Sequence, residues 1–205
     1  MDIQNEELKN IILYALDEID FEDINEDRLE EIEEIYLNAY LLNGKQTGIT
    51  IEDVLKFPNL RELKLGNFNI TENDVETIAK LEKLEELEIF DCKFTDVDFD
   101  KIAKKVQRLI FSKCKEMNFK YPNVKEIIIR NSKVDFDNLN FECAKRVEII
   151  LSRIKNVVDL TEFKNIEEVN LDGSILYDEK YVTKDDIEVS KNTIYTHKSD
   201  IELYD

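Results

Sequence analysis

The chain has 205 residues, 42% of them apolar and 37% charged, with a formal net charge of −19. That length and apolar fraction suffice for one continuous core in a single domain, and four glycines and two prolines supply no flexible linker. The sequence holds no run of about 18 apolar residues and no CxxC among its three cysteines, and its opening MDIQNEELKN carries acids where a secretory leader is expected to have a basic flank and an apolar run.

Those absences lead us to expect reduced thiols and a cytoplasmic location. The charge is unevenly placed. Residues 1–100 hold 28 acidic and 9 basic side chains, residues 101–155 hold 6 and 14, and residues 156–205 hold 13 and 5, an acidic, basic, acidic layout.

In chain order, Leu8, Ile11, Ile12, Ala15, Leu16 and Ile19 have helical spacing and predict an amphipathic helix over residues 5–20. The acids of residues 1–35, 14 against two basic residues, would form its wet face. From Ile32 onward one phrase recurs: apolar, two other residues, apolar, any, apolar. It starts at Ile32, Leu60, Leu84, Val106, Val124, Ala144 and Ile166, at intervals of 28, 24, 22, 18, 20 and 22 residues.

The ninth position of the phrase reads Tyr40, Phe68, Cys92, Cys114, Ser132, Ser152 and Ser174, mostly small and weakly polar. Two residues later Leu42, Ile70, Phe94, Val134, Ile154 and Leu176 predict a second buried layer. Thr50 with Asp53, Thr71 with Asp74 and Thr95 with Asp98 read as capping boxes that open short helices on the return segments. Near the end, DIEVSKNTIYTHK alternates on both sides of Lys191-Asn192 and predicts a terminal hairpin.

The phrase resembles the leucine-rich repeat, LxxLxLxxN/C. That resemblance implies an α/β fold, a curved parallel sheet with one strand per unit and short helices or turns on the convex side. It covers seven units over residues 32–176, with residues 1–31 as a helical cap and 177–205 as a β-hairpin cap of one domain. It also implies a non-enzymatic module that binds another protein on its concave side.

Within each strand, alternation sends the first, fourth and sixth positions inward and the fifth and seventh outward. YPNVKEIIIR breaks the pattern, because Ile128, between two inward isoleucines, occupies an outward position. It has company in Phe90, Ile110 and Ile150, drawn from successive units, with Arg108, Lys113, Arg130, Lys145 and Arg146 around them. An apolar centre with a basic rim predicts a partner-binding patch roughly 15 Å across. Three other readings stay open: cover by the C-terminal segment with Tyr177, Tyr181, Val182 and Tyr195, a homodimer through this face, or a one-residue slip exchanging Ile149 and Ile150.

Little in the sequence points to catalysis, a metal or a cofactor. The single histidine, His197, has Ser199 and Asp200 beside it, but sequence proximity does not build a triad. Asp96, Asp98 and Asp100 imitate a calcium loop that then places Lys101 where glycine is required. KIAKKVQR is the densest basic run, too short to read nucleic acid on so acidic a chain. The acidic N-terminus instead supports a second possibility, an inhibitor or immunity protein that presents carboxylates as a phosphate-like surface to a basic nucleic-acid-binding enzyme such as a nuclease.

Overall fold

The computed structural model describes residues 3–95, 97–103, 105–115, 124–135, 143–155, 158–159, 165–176, 181–182, 188–189 and 194–195. Asp96, His197 and the Lys191-Asn192 turn lie outside them. The apolar phrase supplies seven strands of an eight-stranded sheet, and the C-terminal segment supplies the eighth. The strands are, in order, Glu34–Asn38, Glu62–Gly66, Glu86–Phe90, Arg108–Ser112, Glu126–Arg130, Arg146–Ile150, Glu168–Asn170 and Glu188–Val189, each parallel to its neighbours.

Register follows the phrase throughout: Leu63 stands against Leu87, Leu109 against Leu87, Ile127 against Leu109 and Val147 against Ile127. These inward residues, with Leu65, Ile89, Phe111, Ile129 and Ile149, are fully buried in one continuous core. The predicted second layer follows. Lys133–Asp135, Arg153–Lys155, Ile175–Leu176 and Ile194–Tyr195 form a parallel four-stranded sheet, and Asn69–Thr71 pairs with Lys93–Thr95. Ile70, Val134 and Ile154 are buried there and Phe94 packs against the core.

Between the two layers the chain turns through one repeated left-handed residue. Asn67, Asp91, Lys113, Asn131, Leu151 and Gly173, all at the eighth position, have φ between 50° and 67°. In the later units the ninth side chain then ties one unit to the one before it. The Phe68 N–H donates to Cys92 Sγ at 3.3 Å, Cys114 N–H to Ser132 Oγ at 3.1 Å, Ser132 N–H to Ser152 Oγ at 3.2 Å and Ser152 N–H to Ser174 Oγ at 3.1 Å. A small hydroxyl or thiol is needed because it must fit inside the turn while accepting from a buried amide. Burial pushes the Cys92 thiol up to about 12 and the Cys114 thiol up to about 11, so neither forms a thiolate near neutrality.

On the returning side, the Thr50 and Thr71 boxes form as read. Asp53 Oδ2 accepts the Thr50 N–H and Asp74 Oδ2 the Thr71 N–H, each at 2.8 Å, opening the 3-10 helix Ile51–Lys56 and the α-helix Glu72–Ile78. The third box does not form. Glu72 Oε2 of the neighbouring helix accepts the Asp98 N–H at 2.8 Å, Asp98 Oδ1 accepts the Asp100 N–H at 3.0 Å, and the helix begins at Asp100–Ala103.

Three further expectations are corrected. The N-terminal helix runs from Glu6 to Leu16, because Asp17 turns left-handed at φ 54°, and Ile19 beyond it is fully exposed. Leu42 is also fully exposed: Ala39 is not left-handed, and the long first interval makes a separate loop closed by an antiparallel Tyr40 to Gln46 bridge. The C-terminal pieces do not pair as a hairpin. Glu188–Val189 adds in parallel to the long sheet and Ile194–Tyr195 in parallel to the second one. Alternation marked both as extended, but partner choice was set by the open edges of the two existing sheets.

Candidate interaction surface

The sheet face turned away from the core carries three rows of side chains, fixed by the strand register. One row reads Glu34, Glu62, Glu86, Arg108, Glu126, Arg146 and Glu168. The middle row reads Tyr36, Lys64, Glu88, Ile110, Ile128, Glu148 and Asn170. The third has Asn38, Gly66, Phe90, Ser112, Arg130 and Ile150.

Register is as read, with Arg130 opposite Ile150 and Ile149 in the core, so the one-residue slip is eliminated. Ile110 and Ile128 do face away from the core and stand side by side. Each, however, is only 6% exposed, which corrects the expectation of an open apolar centre. Their row neighbours along the strands are Arg108, Glu126 and Arg130, long side chains held across the face by ion pairs. Phe90 and Ile150, at opposite corners, remain half-buried.

The expected basic rim is also compensated. Arg108 lies between Glu126, 2.8 Å from its Nε, and Glu86, 3.0 Å from its Nη1. Arg146 Nη2 is 2.6 Å from Glu148 and its Nε is 3.5 Å from Glu168, while Arg130 reaches Glu148 at 3.8 Å. Lys145 pairs with Glu167 at 2.9 Å, and Lys113 Nζ sits 4.9 Å from the centre of the Phe90 ring. The acids that flank Arg108 and Arg146 in the first row, Glu86, Glu126 and Glu168, stand at the third position of the phrase, where alternating signs one unit apart become neighbours on adjacent strands. Glu148 is the residue that sequence reading missed: a carboxylate only 6% exposed, beside Ile128 and shared by two arginines.

Nearer the N-terminal end, Tyr36, Lys64, Glu88 and Phe90 line a hollow of about 180 Å³. Gly66, at the row position between Asn38 and Phe90, is covered by the Tyr36 side chain; a Cβ there would stand 2.6 Å from Tyr36 Oη. Asn38 Nδ2 donates to that oxygen at 2.7 Å, and burial raises the phenol above its ordinary range. Two aromatic side chains with one lysine and one glutamate beside them can accept an apolar side chain and a polar backbone together.

Among the described residues, no three His, Cys, Asp or Glu side chains gather as metal ligands, and no helix is long and apolar enough to cross a membrane. No protein-family model and no curated protein sequence matches the chain. Among solved structures it resembles an internalin C2 from Listeria monocytogenes str. 4b F2365, at 18% identity and TM-score 0.50, over 95% of this chain and 93% of that one. An internalin F of the same strain gives 12% identity and TM-score 0.35 over 94% and 75%, too loose a superposition to support any comparison. At such identity the first likeness bears on the fold alone, and it agrees with the repeated phrase, the parallel register and the ladder of ninth side chains: the chain is a leucine-rich-repeat solenoid.

Proposed function

We propose that this chain is a protein-recognition module that binds its partner on the concave face of the solenoid. The observation that carries this reading is the hollow between Tyr36 and Phe90, lined also by Lys64 and Glu88, continued along the sheet by half-buried Ile150 and by paired charges. The pairing favours a partner with interspersed charges of both signs, since a face of compensated ion pairs selects by geometry more than by long-range attraction. Ile110 and Ile128 stiffen the centre, and Phe90 and Ile150 supply the apolar contact at its corners.

The test compares wild type with a Phe90→Asp/Ile150→Asp variant that keeps its melting temperature, capturing partners from nuclease-treated source lysate and washing at low and high salt. Retention of one protein by wild type in both washes, and its loss by the variant, is the expected result. Equal retention by both chains would overturn the concave-face reading.

The acids of residues 1–35, 14 against two basic residues, favour a second reading, an acidic inhibitor of a basic nucleic-acid-binding enzyme. In that case salt alone releases the partner, because exposed carboxylates are screened within about 8 Å at physiological ionic strength.

A further inference from the structure

The sheet ends in a strand that has one neighbour and an open side. Among the described residues, Glu34–Asn38 pairs with Glu62–Gly66 alone. The Glu33 carbonyl accepts the Glu62 N–H at 2.9 Å and the Ala39 N–H donates to the Gly66 carbonyl at 3.0 Å. In a parallel ladder alternate residues address the same neighbour, so the N–H and C=O of Glu34 and Tyr36 point away from the sheet. Neither residue receives a backbone partner on that side from a described residue, whereas Asn38 is closed off, its carbonyl accepting Thr47 Oγ1 at 2.7 Å.

Alongside runs a groove of about 540 Å³ between this strand and the helix Glu6–Leu16. Ile11 and Tyr14 form its helical wall and Tyr36 its strand wall, with Glu7, Glu31 and Glu34 along it. Tyr14 is 90% exposed. Glu31 is ion-paired with Arg28 and Glu34 with Lys64, yet the surrounding residues 1–35 carry 14 acids against two basic side chains.

We infer that this edge docks an extended, basic segment of a partner protein, which adds as a further strand beside Glu34–Asn38. Unpaired backbone groups supply the ladder, the groove takes alternate apolar side chains against Ile11 and Tyr14, and the acids receive lysine or arginine. A second copy of this chain is disfavoured because it would bring an equally acidic edge against this one. The inference does not depend on the concave-face reading.

The test uses the full chain and three acetylated ten-residue peptides: alternating Lys-Val, the same with alternate amides N-methylated, and alternating Glu-Val. Hydrogen exchange read by NMR is expected to slow about tenfold at the Glu34 and Tyr36 amides with Lys-Val and to be unchanged with the other two. Tyr36→Pro removes an outward N–H and should weaken Lys-Val binding about tenfold. Tyr14→Lys, on the exposed helix wall, should weaken it likewise without touching the strand, and serves if the proline variant does not fold. The inference is overturned if Lys-Val fails to bind at about 1 mM, if N-methylation leaves binding unchanged, if protection appears elsewhere, or if sedimentation shows the chain pairing with itself through this edge.

Discussion

Among single residues, the left-handed eighth position shows where the repeat is strained and where it is not. Asn67, Asp91, Asn131 and Gly173 are residue types that adopt positive φ at little cost. Leu151 is not of that kind, and it sits at φ 50° with 60% of its surface in solvent. Its side chain leans over Gly173, where an added Cβ would meet Leu151 Cδ2 at 2.6 Å, so the two positions are complementary. That contact recovers part of the left-handed penalty of about 1–2 kcal/mol, though not all, given the exposure. Leu151→Asn should therefore stabilise the protein by about 0.5 to 1 kcal/mol, seen as a higher urea midpoint at unchanged m value. A lower midpoint would mean that the Gly173 contact outweighs the backbone strain.

For the individual elements, the strand Glu126–Arg130 shows what periodicity does and does not reveal. Ile127 and Ile129 were legible as core because they recur at fixed positions of the phrase, and Ile128 was legible as outward for the same reason. Its burial was not legible, because exposure on a sheet face depends on the neighbouring strands, which lie 18 and 20 residues away in the chain at Ile110 and Glu148. The C-terminal segment failed similarly: alternation identifies an extended piece, while the choice between a hairpin and two parallel additions belongs to the edges that await it. Since Ile128 is 6% exposed, Ile128→Ala should cost about 2 kcal/mol or more of unfolding free energy, where a freely exposed isoleucine would cost under about 0.5. Equilibrium urea unfolding separates these values, and a cost near zero would restore the open patch.

The whole molecule is a stack in which each unit buries its apolar positions against its neighbours, so its stability is set locally and its ends differ from its middle. At the N-terminal end the helix Glu6–Leu16 contributes Leu8 and Ile12 to the shared core, while Asn5 caps it by accepting the Leu8 N–H at 3.1 Å and ties it to the Thr47 carbonyl at 3.0 Å. That helix lies beside the open edge of the strand Glu34–Asn38, so loosening it should expose the first units without unpairing distant ones. Ile12→Ala, removing a side chain with no solvent exposure, is expected to cost about 2 to 5 kcal/mol when that end unfolds. Hydrogen exchange should then accelerate at residues 35, 37, 63 and 65, while residues 127, 129, 147 and 149, on the fifth and sixth strands of the sheet, keep their protection. Uniform acceleration along the chain would show instead that the solenoid unfolds as one cooperative body, and that the acidic and basic stretches are coupled through a core whose strength does not depend on position.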